Sequence, residues 1–205
     1  GLESRGLGDV YKRQLIISGG IAAYKSLDLI RSLIKIQCEV KTILTKGGAE
    51  FVTPLSIASL SKNKVYSDMY SVENESEMDH ISLSRWADLI LIAPATSNII
   101  AKMSQGISDD LATTVVQASN KSIFVCPAMN LRMWEHTSNK QNLEKIKSYN
   151  YRIIGPFNGE MACGEYGDGR MADIKYILNE LDNFFKSKSN NKKFRAVVTA
   201  GPTRE

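Results

Sequence analysis

A histidine and a thiol stand out as side chains that could move protons. His80 lies in the stretch Met78–Leu83 (MDHISL), and Cys163 lies in the glycine-rich stretch Gly159–Met171 (GEMACGEYGDGRM). An imidazole titrates near neutral pH and therefore suits acid–base catalysis, although a lone histidine is more often a structural or surface residue. Four glycines around Cys163 predict a mobile flap that presents its thiol rather than a packed element. The second histidine, His136, has no such context and is assigned no role.

A small-residue turn is the first candidate for binding an anion. The segment Ser18–Ala22 (SGGIA) joins an apolar run to a stretch with helical periodicity. Small residues let backbone N–H groups approach an anion, and a helix N-terminus adds partial positive charge, so a phosphate fits here. A purely structural turn explains the glycines equally well. The spacing differs from the dinucleotide pattern G-x-G-x-x-G, and Glu39 begins the second strand instead of ending it, which disfavours a nicotinamide dehydrogenase.

Polar residues also follow two later apolar runs. Thr96, Ser97 and Asn98 come directly after the run Leu89–Ala95, where their side chains can cap a helix or bind the polar edge of a ligand. Asn130 comes after Pro127, and its amide can hold a carboxylate through two donors. The neighbouring Met133 and Trp134 are interpreted as core residues.

Strand and helix patterns alternate along the chain. Apolar runs predict strands, and periodic stretches, an N-cap threonine and a first-turn proline predict helices. The predicted strands are 15–18, 40–45, 89–93 and 122–126, and the predicted helices follow Gly20, begin at Thr53-Pro54, cover 99–105 and 109–119, and follow Asp173. Such alternation predicts an α/β fold with a doubly wound parallel sheet, whose ligands bind at the carboxyl ends of the strands.

Composition excludes several classes of protein. The chain has 205 residues, 43% of them hydrophobic and 23% charged, which is enough apolar surface for a packed core. No apolar run approaches the roughly 20 residues that a membrane-spanning helix needs. Three isolated cysteines and two histidines disfavour a metal site or a disulfide framework. The net charge of +4 arises largely in the lysine-rich segment 186–195, so no nucleic-acid-binding face is predicted, and the expected compartment is the cytoplasm.

The two ends of the chain differ from its centre. Residues 1–14 contain neither an apolar run nor an amphipathic pattern and are predicted to be a non-native or disordered leader. Residues 15–187 form the predicted domain, and 188–195 form a polar linker. The segment 196–205 begins a further strand, which we interpret as the truncated start of a second domain.

Five of these motifs occur together in the order found in one family. They are Gly19–Lys25 (GGIAAYK), His80-Ile81, Ala93–Thr96 (APAT), Pro127–Asn130 (PAMN) with Met133-Trp134, and Ala162–Glu165 (ACGE) with Gly169–Met171 (GRM). Over residues 15–185 they resemble the flavin-dependent cysteine decarboxylases, and specifically the phosphopantothenoylcysteine decarboxylase half of the bifunctional bacterial enzymes of coenzyme A synthesis. Residues 198–203 (VTAGPT) resemble the start of the fused ligase half, so ligase activity is expected to be missing from this chain.

This resemblance implies a Rossmann-like flavoprotein that binds FMN at the subunit interface of a homotrimer or of a larger assembly of trimers. The implied substrate is 4′-phospho-N-pantothenoyl-cysteine, which would be decarboxylated to 4′-phosphopantetheine after transient oxidation of its thiol. The implied FMN-binding residues are Ser18, Gly19, Gly20, Ile21, Ala22, Thr45, Ala95, Thr96, Ser97, Asn98 and Ala128. The implied substrate-binding residues are Met129, Asn130, Ala162 and Arg170.

The resemblance also implies three chemical roles. His80 would be the catalytic acid/base, Asn130 would orient the substrate carboxylate, and Cys163 would donate the final proton. Ile99 stands where the family often has threonine, which removes one hydroxyl expected near the flavin. Two alternatives remain: a decarboxylase acting on the C-terminal cysteine of a peptide, and a non-catalytic regulatory flavoprotein of the same fold.

Overall fold

Six parallel strands form the central sheet of the protein. The structure, a computed structural model, describes residues 11–67, 69 and 80–191. The strands of the sheet are β1 (Tyr11–Ile17), β2 (Cys38–Leu44), β3 (Val65–Tyr66), β4 (Leu89–Ala95), β5 (Ser122–Pro127) and β6 (Arg152–Ile153). Their spatial order is β3-β2-β1-β4-β5-β6, and every neighbouring pair is parallel. This confirms the predicted doubly wound α/β fold.

Helices connect the strands and cover both faces of the sheet. A 3-10 helix (Ile21–Tyr24) precedes α1 (Lys25–Lys35), and α2 (Lys46–Ala49) and α3 (Pro54–Ser61) follow β2. The next helices are α4 (His80–Trp86), α5 (Ser97–Gln105) and α6 (Leu111–Ala118). After β5 come α7 (Leu131–Glu135) and α8 (Thr137–Ser148), and α9 (Ile174–Asn191) follows the hairpin described below.

Alternation along the strands divides the core into two clusters. Leu15 and Ile17 of β1 belong to the cluster that includes buried residues of α1 and α9, whereas Ile16 points into the cluster that includes residues of α5 and α6. In β4, Leu91 belongs to the first of these clusters and Ile92 to the second, and both residues are fully buried. Because helices cover both faces, these strands are continuously apolar rather than alternately polar.

The boundaries of the domain differ from the prediction at both ends. β1 begins at Tyr11 rather than Leu15, because residues 11–14 pair with β2, and Arg13 and Gln14 are buried. The predicted leader therefore contributes the first half of a strand, while residues 1–10 lie outside the described part. At the other end α9 extends to Asn191, so residues 188–191 of the predicted linker are helical. The remaining linker and the segment 196–205 lie outside the described residues.

The segment predicted to be a flap forms a two-stranded hairpin. β7 (Phe157–Glu160) pairs with β8 (Tyr166–Arg170) in antiparallel register. The prediction that this glycine-rich segment cannot be a packed element was therefore wrong. The glycines are compatible with pairing here because Gly159 and Gly167 lie opposite each other and Gly169 makes a close backbone contact described below.

Two classes of feature are not found in the described part of the chain. None of its helices combines the length and apolar content that a membrane crossing requires. Nor do the described residues bring three or more histidine, cysteine or carboxylate side chains into an arrangement that could hold a metal ion.

Candidate active site

Backbone hydrogen bonds join the carboxyl ends of neighbouring strands into one continuous row. The N–H of Thr45, after β2, donates to Ile17 O at 3.1 Å, and the N–H of Ser18 donates to Pro94 O at 3.3 Å. The N–H of Ala128, after β5, donates to Ala95 O at 3.0 Å. The row crosses between β1 and β4, where the connections diverge to opposite sides, and this is where such sheets bind ligands. The predicted flavin-binding loops are therefore neighbours.

The turn after β1 leaves its helix start without a side-chain cap. Gly20 is the N-cap of the 3-10 helix and makes no side-chain cap hydrogen bond, since glycine has no side chain. Ile21 and Ala22 follow in that turn, and the side chain of Ile21 is 58% exposed. Backbone N–H groups at this helix start are therefore without a side-chain cap, and binding of an anion by Ser18–Ala22 stays a prediction.

The loops after β2 and β4 are capped by threonine hydroxyls. Thr45 Oγ1 accepts from the N–H of Gly48 at 3.1 Å, and Thr96 Oγ1 accepts from the N–H of Ile99 at 3.2 Å. A hydroxyl that accepts such a bond retains its proton, which it can donate to a phosphate or a carbonyl. Capping and ligand binding, the two alternatives for Thr96, are thus compatible. Ser97 is half-buried and Asn98 is exposed in the first turn of α5.

Ile99 is buried in the apolar core. Its side chain is 3% exposed and packs in the apolar cluster under α5. Isoleucine in place of the threonine that the family often has here therefore adds apolar contact to the core.

The short helix after β2 packs directly on the end of β1, a contact that the sequence analysis did not identify. A Cβ atom placed on Gly48 would lie 2.5 Å from Ile17 O, so this approach requires glycine. A cavity of about 370 Å³ opens beside this loop, lined among others by Thr45, Lys46 and Leu111. Its volume lies in the range of small-molecule sites. The adjacent glycines Gly47 and Gly48 were the available signal in the sequence.

Asn130 starts the helix that follows β5. Its Oδ1 accepts from the N–H of Met133 at 2.9 Å, which makes Asn130 the N-cap of α7. Because the cap uses only the oxygen, the amide NH₂ keeps two donors that can hold a carboxylate. Trp134 packs against the core as interpreted, whereas Met133 is 44% exposed, so assigning Met133 to the core was wrong. Ala128 and Met129 are half-buried beside this helix.

The hairpin is fixed to the loop after β5. The N–H of Met129 donates to Gly169 O at 3.0 Å, and a Cβ atom on Gly169 would lie 2.2 Å from Met129 O. The hairpin tip is closed by the N–H of Met161, which donates to Glu165 O at 2.8 Å. Ala162 and Cys163 are exposed at this tip, and Cys163 Sγ lies 3.6 Å from a Glu165 carboxylate oxygen. The thiol is thus carried at the tip of a β-hairpin.

Arg170 ends the hairpin beside the start of α1. Its guanidinium Nη1 lies 3.0 Å from Asp173 Oδ1. Lys25, the first residue of α1, has its pKa lowered mainly by burial and next by the positive charge of Arg170, with Asp173 acting in the opposite direction. Arg170, which is predicted to bind substrate, therefore lies near a second cation, Lys25, beside the uncapped turn.

His80 is the first residue of α4, and its side chain is half-buried. The helix is anchored by Leu83, which is fully buried in the second core cluster. The described contacts do not join His80 to the loops above, so its catalytic role stays a prediction. His136 has a structural role: its Nδ1 accepts from the N–H of Ser138 at 3.2 Å and caps α8.

Comparison with known proteins agrees with this geometry. The model of the flavoprotein family matches residues 7–186. The chain belongs to the flavoprotein family. It is 43% identical over 189 residues to the coenzyme A biosynthesis bifunctional protein CoaBC of Haemophilus influenzae, covering 92% of this chain and 47% of that protein. It is 38% identical over 193 residues to the Bacillus subtilis CoaBC, covering 93% and 48%. This flavoprotein thus spans about half the length of these relatives.

Solved structures show the same fold. A PPC decarboxylase mutant complexed with pantothenoylaminoethenethiol aligns with a TM-score of 0.76 at 30% identity, covering 87% of this flavoprotein and 100% of that chain. The FMN-binding protein AtHal3 aligns with a TM-score of 0.73 at 31% identity, covering 87% and 98%. These two similarities agree with the family resemblance of the motifs.

Proposed function

We propose that this flavoprotein binds FMN and decarboxylates 4′-phospho-N-pantothenoyl-cysteine to 4′-phosphopantetheine. The observation that carries the proposal is the row of strand-end loops, in which an uncapped helix start lies beside the loops capped by Thr45 and Thr96. Backbone donors of the first loop and hydroxyl protons of the other two suit a phosphate and a ribityl chain. The 43% identity to a CoaBC protein and the likeness to a PPC decarboxylase support the choice of substrate.

When bound, FMN would supply the electron sink, a reversible two-electron acceptor for oxidation of the substrate thiol. A thioaldehyde next to the carboxylate-bearing carbon lets CO₂ leave and yields an enethiolate, which must then gain a proton on carbon. We assign to His80 the proton exchanged during oxidation of the thiol. The NH₂ of Asn130 would hold the departing carboxylate, and Cys163 on the hairpin tip would donate the final proton.

The decisive experiment measures CO₂ and 4′-phosphopantetheine with the purified flavoprotein, FMN and the phosphopantothenoyl-cysteine substrate. His80→Asn is the matched variant, expected to bind FMN like wild type and to release no CO₂. A peptide ending in cysteine is the comparison substrate, for which we expect no turnover. Bound FMN without turnover of either substrate would favour the non-catalytic alternative, and turnover of the peptide alone would favour the peptide decarboxylase.

We also propose that the flavoprotein forms a homotrimer, as the family resemblance implies, and works in the cytoplasm. Large apolar side chains near the uncapped turn and α3 support self-association: Tyr24 is 53% exposed and Leu55 is 77% exposed. A second copy of the chain could cover such exposed apolar side chains. Light scattering is expected to give three times the mass of the chain, and a monomer at micromolar concentration would contradict the proposal.

A further inference from the structure

The regular pairing between β1 and β4 ends just before the flavin-binding loops. The last paired residues are Ile16 and Ile92, and the register of β4 with β5 shifts between Ile92 and Ala95. The carbonyls of Ala93 and Pro94 therefore need donors other than the ladder, since buried carbonyls are costly when unpaired. Two buried serine hydroxyls supply such donors, and Pro94 O accepts in addition from the N–H of Ser18 at 3.3 Å.

Ser18 makes a two-sided contact with the loop after β4. Its Oγ donates to Pro94 O at 2.6 Å and accepts from the N–H of Thr96 at 3.1 Å. The residue is 2% exposed, so its hydroxyl faces protein on both sides. A hydroxyl has one proton, and Ser18 donates its proton in the hydrogen bond to Pro94 O. The N–H of Thr96 occupies one of the two lone pairs of the Ser18 oxygen. Little of this side chain is left for a cofactor.

Ser26 of α1 makes a simpler contact nearby. It is fully buried, and its Oγ donates to Ala93 O at 2.7 Å. Its acceptor, Ala93 O, belongs to β4, and the bond does not involve the N–H of Thr96, the residue that caps α5. The two serines thus share burial and hydrogen-bond chemistry but differ in whether they hold the start of α5.

We infer that Ser18 is a positioning residue, which joins the turn after β1 to the start of α5 and does not itself bind the cofactor. This inference rests on the proposed binding of FMN. Thr96 caps α5 with its side chain and is held by Ser18 through its own N–H. On the other side, Ala95 O accepts from the N–H of Ala128. Loss of the Ser18 hydroxyl removes the acceptor of the Thr96 N–H and one of two donors to Pro94 O, while the bond from the Ser18 N–H to Pro94 O remains. The start of α5 is then held less firmly, and its hydroxyl groups must be ordered further when FMN binds.

The test compares Ser18→Ala with Ser26→Ala, using apoprotein titrated with FMN and followed by quenching of flavin fluorescence. Both variants lose a buried hydroxyl and are expected to lower Tm. We expect Ser18→Ala to raise the Kd for FMN about tenfold, the factor that corresponds to loss of one or two hydrogen bonds, and Ser26→Ala to change it less than about twofold. Ser18→Thr retains the hydroxyl and should bind within about threefold of wild type.

A second measurement needs no cofactor. Residue-resolved hydrogen exchange of the apoprotein should show faster exchange of the Thr96 amide in Ser18→Ala and an unchanged rate in Ser26→Ala. Equal Kd values for the two alanine variants, equal Thr96 exchange, or a Ser18→Thr variant as weak as Ser18→Ala would overturn the inference.

Failure of the proposed FMN binding can be distinguished from failure of the positioning role inferred for Ser18. Wild-type protein that fails to bind FMN would contradict the proposed function, while the exchange experiment would still test the contact itself. If Ser18→Ala does not fold, Ser18→Cys provides a weaker donor and acceptor of similar size. We expect its Kd for FMN to exceed that of wild type, and a wild-type Kd would overturn the inference.

Discussion

The loop after β1 and the loops after β2, β4 and β5 begin helices in opposite ways. The first has Gly20 as its N-cap and no side-chain acceptor, whereas the others are capped by Thr45, Thr96 and Asn130. Capped loops satisfy their own N–H groups and present hydroxyl or amide protons. The uncapped loop presents the N–H groups themselves. One edge of the sheet therefore offers two kinds of donor, backbone N–H groups in the loop after β1 and hydroxyl or amide protons of side chains in the other loops.

Placing a carboxylate in the uncapped turn should have the largest effect, because it distinguishes a turn that binds phosphate from a turn that is purely structural. Ile21→Asp places a negative charge where it favours the helix start and repels a bound phosphate. We therefore expect unchanged or slightly higher Tm for the apoprotein but an increase of about 100-fold in the Kd for FMN. Ile21→Asn is the neutral control of similar shape. If the two variants bind FMN equally well, the phosphate does not lie at this turn.

Gly48→Ala tests the packing of the capped loop after β2. The added Cβ would lie 2.5 Å from Ile17 O and 2.8 Å from Leu44 Cδ1, so the loop must move away from β1. We expect the free energy of unfolding to fall by about 2 kcal/mol, as for other overpacked sites, with weaker FMN binding. Gly106→Ala is a control at an open position with φ of 70°, where the cost is only backbone strain. Urea denaturation measures both, and a wild-type stability for Gly48→Ala would contradict the described contact.

Removing one cap should have a smaller effect. Thr96→Ala leaves the N–H of Ile99 without its acceptor and is expected to lower the free energy of unfolding by about 1 kcal/mol. Thr96→Ser keeps the hydroxyl and should restore most of this loss. Denaturant unfolding of the apoprotein measures the cap, and FMN titration of the same variants shows whether the hydroxyl proton also reaches the cofactor. Equal stability of Thr96→Ala and wild type would mean that the cap contributes nothing.

The smallest effect concerns Lys25, whose pKa is lowered chiefly by burial and then by Arg170. Its charged form is therefore disfavoured in the folded protein. Between the lowered pKa and the usual value of 10.5 the unfolded chain binds more protons, so this residue makes stability rise with pH in that window. Relative to Lys25→Met, the wild-type free energy of unfolding should increase as the pH approaches 10.5. A difference that does not change with pH would contradict the lowered pKa.

Strands with continuous apolar runs were predictable, and the structure confirms them at Leu89–Ala95 and Ser122–Pro127. Their composition leaves no alternative to burial on both faces. The start of β1 was not predictable, because Arg13 and Gln14 are polar and enter the sheet only through partners on other elements. Arg13 pairs with Asp88, and Gln14 donates to Lys41 O. Such partners cannot be identified from a local pattern.

The sequence by itself determined the alternation of strands and helices and the polar residues that follow each strand. Local hydrophobic periodicity and helix-capping chemistry act over a few residues, so they are readable in order along the chain. Only the tertiary structure decided how those residues are used, because their partners are distant in sequence. Ser18 meets Thr96, and Gly169 meets Met129, across separations that only folding closes. A glycine-rich segment became a hairpin for the same reason, since its pairing and its contact with the loop after β5 depend on that packing.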